Sequence, residues 1–360
     1  MTALIDILIS RINNEGSLTV AQFMEEALSN PRFGYYMKKD PLGVDGDFTT
    51  APEISQMFGE LLGLWCVVQW HSIGAPESFN LVELGPGRGT LMADMLRAGR
   101  AVPGFVDAAK VSLVETSPTL RKKQKELLRA YSPRWLADIS RLPDGPIIAI
   151  ANEFFDALPI RQFERSEVGW HERHVALSED KQLCFQLSAP RGTLPLVPEE
   201  FHSAPPGSVV EVSPVSVAVT ITLASRIREA GGAALIIDYG HRQSGIGDTL
   251  QAVKGHQYFP VLETPGEADL TAHVDFAVLA DIARDAGIDA HGPITQAAFL
   301  EDLGIEARAN SLQEKATPEQ SEDITLSLER LTSTAENGMG HLFKVLALTQ
   351  TGMPTPPGME

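Results

Sequence analysis

The chain has 360 residues, and 43% of them are hydrophobic, which is enough to bury a substantial core in one large domain with insertions or in two domains. Its formal net charge of −18 disfavours nonspecific binding to nucleic acid, whose phosphates need clustered Lys and Arg. The two cysteines, Cys66 and Cys184, lie far apart and lack metal-ligand spacing, which excludes a disulfide framework and a zinc knuckle.

The first residues, MTALIDILISRINNEG, have neither a basic n-region nor a long apolar run, so we expect no secretory signal. They also lack the Ser-rich, Arg-rich composition of a transit peptide. No segment offers about 18 uninterrupted apolar residues, so we expect no membrane span. These features favour a bacterial-type protein located in the cytoplasm.

Residues 1–75 are predicted to form a helical N-terminal region, because residues 4–12, 20–28 and 54–69 have helix-like apolar spacing. Between these helices the chain is rich in Gly, Pro, aromatic residues and small hydroxyls, notably at residues 46–53. That composition is typical of an ordered loop. A lid and a packed connector both fit it.

From Phe79 onward strands and helices alternate, which predicts an α/β protein with a Rossmann-like, doubly wound parallel sheet. Residues 76–160 form the first part of this core, with strands at 79–84, 111–115, 134–137 and 147–152 and helices at 89–98 and 118–130. Residues 161–206 are predicted to be an antiparallel β insertion, with strands at 161–164, 174–177 and 183–187.

The second part of the core is expected over residues 207–350, with inserted substrate-binding segments, and residues 351–360 are expected to be a disordered tail. The predicted elements of this part are helices at 214–230, 274–286 and 316–336 and strands at 233–239, 294–298 and 341–348.

The turn from the first core strand into its helix reads LVELGPGRGT and places glycines at positions 85, 87 and 89. Glycine can adopt the positive φ of a tight turn, and it leaves room for a ligand at the helix N-terminus. A dinucleotide fingerprint would need its third glycine at position 90, where Thr90 stands. The pattern Glu83-x-Gly85-x-Gly87-x-Gly89 therefore favours S-adenosylmethionine over NAD as the cofactor.

Polar residues after the following strands support a nucleoside ligand. Glu115 ends the second strand, where its carboxylate could accept hydrogen bonds from two ribose hydroxyls, each worth about 1.5–3 kcal/mol. Asp138 and Ile139 follow the next strand and could contact an adenine amino group and ring. Glu83 would be costly to bury without a partner, and a cationic α-amino group would satisfy it.

A second polar patch, ANEFFDALP at residues 151–159, follows the fourth strand. The carboxyl edge of an open α/β sheet is where ligands bind. Asn152 and Glu153 are poor core residues after the apolar run IIAI, so we expect them to contact ligands.

The chain resembles the MidA-type family of S-adenosylmethionine-dependent methyltransferases. The resemblance spans nearly the whole chain and rests on six blocks taken together: PRFGYY at 31–36, GDFTTAPEISQMFGELLG at 46–63, VELGPGRGTL at 82–91, NEFFDALP at 152–159, DYGH at 238–241 and DLTAHVDF at 269–276. The mitochondrial member of that family is an arginine methyltransferase needed for assembly of respiratory complex I. The resemblance implies the same glycine loop, Gly85, Gly87 and Gly89, and the same post-strand acid, Glu115.

An arginine methyltransferase must activate a guanidinium, a poor nucleophile whose deprotonation at neutral pH costs about 7 kcal/mol. Carboxylates can grip its planar fork and accept the proton. The predicted catalytic groups are Glu153, Asp156, Asp238 and His241. The predicted substrate contacts are Glu53, Asn152, Phe154, Tyr239 and His273. Thr50 and Asn152 are predicted to contact the cofactor. Alternatively, Glu153 caps the helix that follows it. The paired-glutamate hairpin loop of the common protein arginine methyltransferases is not found in the sequence.

Two other functions stay open at this point, an assembly chaperone that keeps the cofactor fold without turnover and an NAD-dependent oxidoreductase. A metal site is not expected, because the run His171-Glu172-Arg173-His174 lacks the second His of an HExxH motif at position 175. The expected partner is a protein substrate, a complex I subunit being the candidate that the resemblance implies. A homodimer is one alternative for the oligomeric state.

Overall fold

A computed structural model describes residues 3–38, 50–190, 196–336 and 338–360. Their helices are α1 (Ala3–Glu15), α2 (Val20–Ser29), α3 (Tyr35–Lys38), α4 (Ala51–Ile54), α5 (Gln56–Ser72), α6 (Thr90–Gly99), α7 (Phe105–Ala108), α8 (Pro118–Leu127), α9 (Pro214–Ala230), α10 (Phe276–Asp285), α11 (Gln296–Asp302), α12 (Ile305–Gln313), α13 (Pro318–Thr332) and α14 (Met339–Leu342). Short 3-10 turns lie at Arg129–Tyr131, Ile139–Arg141 and Glu199–Phe201.

The strands are β1 (Leu18–Thr19), β2 (Phe79–Leu84), β3 (Ala109–Val114), β4 (Arg134–Leu136), β5 (Ile147–Asn152), β6 (Arg161–Ser166), β7 (Gly169–Leu177), β8 (Leu183–Leu187), β9 (Val209–Val212), β10 (Gly232–His241), β11 (Gln251–Lys254), β12 (Gln257–Phe259), β13 (Asp269–Thr271), β14 (Val274–Asp275), β15 (Asp289–Thr295) and β16 (Phe343–Thr349). The chain divides into two compact units. One takes residues up to 48, 156–217 and 244–273, and the other takes residues 49–155, 218–243 and 274–360.

The larger unit is built on an eight-stranded sheet in the order β15-β16-β10-β5-β2-β3-β4, with β14 beside β10. Strands β10, β5, β2, β3 and β4 run parallel, whereas β16 is antiparallel to both β10 and β15. The chain leaves β2 toward β3 on one side and returns to β5 on the other, so the order reverses between β2 and β5. Ligands of open α/β sheets bind at such a reversal.

Apolar side chains fill both faces of this sheet because its central strands are covered by helices. All six residues of β2 and of β5 are buried. One core cluster joins α5 and α6 to the same face of β2, β5 and β10, through residues such as Trp65, Met95, Ile150 and Leu235. Burial on both faces explains why β5 begins with the continuous apolar run IIAIA.

The smaller unit is mainly antiparallel. Its five-stranded sheet has the order β1-β7-β6-β9, with β8 paired to β7, and a separate three-stranded sheet has the order β12-β11-β13. Helices α1 and α2 pack their apolar faces into a core that includes Leu8, Phe23, Val175 and Leu270.

The predicted fold class, a Rossmann-like sheet with a helical N-terminal region and an antiparallel β insertion, is confirmed. The N-terminal region 1–75 is not one body, however, because α1 and α2 belong to the smaller unit and α5 to the larger one. The predicted helix at 54–69 is interrupted at Ser55, whose extended backbone separates α4 from α5 and whose hydroxyl caps α5.

Two C-terminal expectations are wrong. The strand predicted at 294–298 ends at Thr295, because that side chain accepts a hydrogen bond from Ala298 N and starts α11. The tail at 351–360 is not disordered, since Met359 is buried in the core of the larger unit. Among the described residues, no helix is long and apolar enough to cross a membrane.

Candidate cofactor and substrate site

The glycine turn lies at the carboxyl end of β2 in the larger unit. Gly85, Gly87 and Gly89 all have positive φ, at 63°, 52° and 88°. A Cβ on Gly85 would come within 2.9 Å of Phe154 Cδ2, so a side chain there would be strained and crowded. The turn therefore requires glycine and keeps its backbone open at the N-terminus of α6.

Glu83 lies one residue before the end of β2 and is 3% exposed. Burial is the main reason that the pKa of its carboxyl is raised to about 8. A hydrogen bond from the Met92 backbone lowers this pKa, and the charge of the nearby Glu115 raises it. Its Oε2 has no hydrogen-bond partner among the described residues. Glu83 thus lies beneath the glycine turn, against the first turn of α6.

Glu115 follows β3 and is buried, with its carboxylate held by two donors. Oε1 accepts from Ser117 N at 2.7 Å, and Oε2 accepts from Gln124 Nε2 at 3.2 Å. Burial is the largest influence and raises the pKa of Glu115, although both hydrogen bonds lower it. The Arg121 guanidinium donates to the carbonyl oxygen of Glu115. The predicted ribose acid is therefore fixed in one orientation.

Asp138 and Ile139 follow β4, the strand beside β3. Asp138 is exposed, and its Oδ1 accepts from Ser140 N at 2.6 Å. Hydrogen bonds from Ser140 are the main cause of its lowered pKa. The parallel strands β2, β3 and β4 therefore place the glycine turn, Glu115 and Asp138 in that order along one edge of the sheet.

The turn after β5 is fixed by Asp238 of the neighbouring strand β10. Asp238 is fully buried, and its Oδ2 accepts from Phe154 N at 3.1 Å and Phe155 N at 2.9 Å. Its Oδ1 accepts from Tyr239 N at 3.0 Å. The expected direct catalytic contact does not fit this burial, because the carboxylate is committed to backbone donors. Asp238 positions the turn.

Glu153 has φ of 52°, a conformation that non-glycine residues rarely adopt. Its Oε1 accepts from Ala51 N at 3.0 Å and from Asn152 Nδ2 at 3.1 Å. The alternative that Glu153 caps the helix following it is wrong, since residues 154–159 form turns and the carboxylate instead meets the N-terminus of α4. Asn152 is buried, and its Oδ1 lacks a partner within the described ranges.

Helix α4 is tied to the glycine turn by Glu53. Oε1 of Glu53 accepts from Thr90 Oγ1 at 2.6 Å, and Oε2 lies 3.2 Å from Arg88 Nη1. Thr50 is buried at the N-cap of α4. Glu53 thus connects two segments of the site and is not a free substrate contact. Thr49, in the loop at 46–53 that fits either a lid or a packed connector, lies outside the described residues.

Four predicted site residues remain. Tyr239 and His241 are half-buried at the end of β10, where the Tyr239 ring packs against Phe343 with centroids 5.7 Å apart. Asp156 and His273 belong to the smaller unit. There Asp156 is buried and its carbonyl accepts from Ala272 N at 3.0 Å, while His273 N donates to Thr249 Oγ1 at 2.9 Å.

Gln124 is a site residue that the sequence did not indicate. It is fully buried, and its Nε2 donates to Gly87 O at 2.7 Å as well as to Glu115. The basic run that contains it, Arg121–Lys125, looks like a solvated helix face in the sequence. The signal for Gln124 in the sequence is that it is the uncharged residue within this basic run.

These residues fit an adenosyl cofactor. Such a ligand needs space and hydrogen-bond acceptors. The positive-φ glycine turn supplies the space, and the oriented Glu115 carboxylate and the buried Asn152 Oδ1, which has no partner among the described residues, supply acceptors. No cluster of three or more His, Cys, Asp or Glu side chains within the described residues could hold a metal ion. The strand order of the larger unit and the residues at the carboxyl edge of its sheet are those of a Rossmann-like methyltransferase.

Residues 61–294 match the family described as "Putative S-adenosyl-L-methionine-dependent methyltransferase". The chain belongs to this family, and S-adenosylmethionine is its cofactor. A crystal structure from Burkholderia thailandensis bound to S-adenosyl-homocysteine is similar, with a TM-score of 0.83 and 27% identity, over 99% of this chain and 94% of that one.

Curated relatives are more similar in sequence. "Protein arginine methyltransferase NDUFAF7, mitochondrial" from Danio rerio is 40% identical over 96% of this chain and 86% of its own length. The protein of the same name from Homo sapiens is 37% identical over 97% of this chain and 83% of its own. The predicted family, enzyme class and cofactor are confirmed.

Proposed function

We propose that this methyltransferase is a protein arginine N-methyltransferase and that its substrate is a subunit of respiratory complex I. The names of its curated relatives, which are arginine methyltransferases, support the reaction. The resemblance to the MidA-type family supports the choice of complex I.

The observation that carries the proposal is the conformation of Glu153. A non-glycine residue with positive φ costs about 1–3 kcal/mol and persists where its surroundings enforce it, which is common at functional sites. Here the enforcement is visible, because Glu153 N donates to Ile237 O at 2.9 Å and Asp238 holds the next two amides. The strained residue therefore lies at the carboxyl edge of the sheet, directly after β5.

The cofactor, when bound, supplies an electrophilic methyl group on a sulfonium. The chain's own residues then have three tasks. Gly85, Gly87 and Gly89 give the ligand access to backbone groups, and Glu115 binds the ribose hydroxyls. Glu153 grips the arginine guanidinium, concentrates its charge on one side and accepts the proton released as the new N–C bond forms, while the S–C bond to the transferred methyl group breaks and the thioether S-adenosyl-homocysteine leaves. Alignment of this kind can contribute about 7–11 kcal/mol.

Glu153→Gln tests this assignment, because it keeps the size of the side chain and removes its charge. We expect S-adenosyl-homocysteine to bind the variant about as tightly as the wild type in calorimetry. Methyl transfer to peptides that tile complex I subunits, followed by mass spectrometry, should fall about 10²–10⁴-fold. Glu172→Gln is the matched control, since Glu172 is a half-buried carboxylate of the smaller unit paired with Arg161.

Two results would contradict the proposal. Methylation of lysine or of a peptide terminus, without methylation of arginine, would show that arginine is not the residue that the enzyme modifies. A wild-type protein that binds the cofactor and a complex I subunit without transferring a methyl group would make the chain an assembly chaperone.

A further inference from the structure

The amide of Gln124 joins two parts of the cofactor site. Its Nε2 donates to Gly87 O in the glycine turn at 2.7 Å and to Glu115 Oε2 after β3 at 3.2 Å. Its Oε1 accepts from Trp135 Nε1 of β4 at 2.8 Å. Gln124 is fully buried, so water does not compete for these bonds.

The indole of Trp135 settles which way the amide points. An indole N–H can only donate, so it selects the amide oxygen and leaves both amide hydrogens for acceptors. Those acceptors are a backbone carbonyl and a carboxylate, and the second bond is charge-assisted. The three strands β2, β3 and β4 are thereby connected through one side chain.

Packing places Gln124 against the turn as well. A Cβ built on Gly89 would lie 3.4 Å from Gln124 Cγ and 3.4 Å from Leu128 Cδ1. Helix α8 thus touches the glycine turn at Gly89 and bonds to it at Gly87. A change in Gln124 would therefore act on the turn and on Glu115 together.

We propose that Gln124 is a positioning residue that sets the selectivity of the cofactor site for ribose hydroxyls, by holding the Glu115 carboxylate at a fixed place relative to the glycine turn. Without Gln124 the Glu115 carboxylate keeps its backbone donors, Ser117 N among them, but its second oxygen loses the side-chain donor that links it to the glycine turn. This inference rests on the proposed role of Glu115 at the ribose.

The test compares two ligands, S-adenosyl-homocysteine and its 2′,3′-dideoxy analogue, which lacks both hydroxyls. In Gln124→Met, which keeps the length of the side chain but has no donor, affinity for S-adenosyl-homocysteine should fall at least about tenfold, or ~1.4 kcal/mol. Affinity for the dideoxy analogue should change little. The ratio of the two dissociation constants is the readout, because a general loss of structure would lower both affinities.

Gln296→Met is the matched control. Gln296 is also fully buried and also donates to a backbone carbonyl, Leu331 O, at 2.9 Å, away from the site. It should keep the ligand ratio of the wild type, whatever stability it loses in thermal unfolding. Trp135→Phe, which removes the donor that orients the amide, should shift the ratio in the same direction as Gln124→Met.

If Gln124→Met does not fold, Trp135→Phe decides, since it leaves the Gln124 side chain in place and removes only the donor that fixes the direction of its amide. An equal fall for both ligands, or no fall for either, would overturn the proposal. Failure of the wild type to prefer S-adenosyl-homocysteine over the dideoxy analogue would instead remove Glu115 from the ribose, which is a failure of the proposed function.

Discussion

Three buried carboxylates near the carboxyl edge of the sheet differ in their hydrogen-bond donors. Asp238 accepts from three backbone amides, Glu115 accepts from a backbone amide and a side-chain amide, and Glu83 leaves one oxygen without a partner in the described residues. A buried charge is tolerated where donors surround it and resisted where they do not. The donors, which the sequence does not show, decide what each acid can do.

For Glu115, the change Glu115→Gln should weaken binding of S-adenosyl-homocysteine by about tenfold or more, since hydrogen bonds to a charged group are worth about 1.5–3 kcal/mol. Calorimetry measures the dissociation constant of S-adenosyl-homocysteine for each protein. Glu211→Gln is the matched control, because Glu211 in the smaller unit is half-buried, has a pKa raised by desolvation, and also accepts from backbone amides and a glutamine side chain. An equal loss of affinity in both variants would contradict a ribose role for Glu115.

For Glu83, burial raises the pKa from its ordinary 4.5 to about 8, so the folded protein favours the neutral carboxyl. Between these two pH values the folded state holds a proton that the unfolded state has lost. The stability that this proton contributes is complete below about pH 4.5 and is lost as pH rises through about 8.

Glu83→Gln has no such proton to lose. We expect its free energy of unfolding, measured by denaturant titration without cofactor, to exceed that of the wild type by a few kcal/mol at about pH 9, and by little at about pH 5. A difference between the two proteins that is the same at both pH values would show that the Glu83 carboxyl does not titrate in this range.

At the scale of elements, the sequence was sufficient for most of the sheet. Strands β2 and β5 and helix α9 have the predicted bounds, because the spacing of their apolar residues and the turn residues beside them indicate one type of element and where it ends. It was insufficient where one side chain decides a boundary. Ser55 separates α5 from α4, of which the predicted helix held only Ile54 and the predicted loop the rest, and Thr295 turns a predicted strand into the start of α11.

Helix α4 spans only four residues and depends on its contacts, because a helix this short is not stable alone. Glu53→Ala removes the bonds to Thr90 and Arg88, which together contribute about 1–3 kcal/mol. We expect faster amide hydrogen exchange at residues 51–54 and weaker cofactor binding.

Glu26→Ala is the control for this exchange experiment. Glu26 forms a similarly half-buried ion pair with Arg11 in the smaller unit. It should leave exchange at residues 51–54 unchanged. If Glu53→Ala also leaves that exchange unchanged, α4 is held by Glu153 and its own packing, and Glu53 does not secure it.

At the scale of the whole molecule, the sequence predicted the family and cofactor but not how the site is assembled. The glycine turn and Glu115 stand out because a motif carries them. Gln124 and Asp238 act through partners 37 and 84 positions away in the chain, Gly87 and Phe154. Only the pairing of strands shows that these residues meet, so periodicity and spacing could not assign their roles.

The net charge of −18 is a property of the whole chain that bears on its substrate. An acidic protein attracts basic partners over a distance that salt shortens, from about 20 Å at 20 mM to about 6 Å at 300 mM. We expect kcat/KM for an arginine peptide flanked by basic residues to fall several-fold over that range. A peptide with the same arginine between acidic residues should gain, because salt screens its repulsion. The same salt dependence for both peptides would show that the overall charge does not steer the substrate.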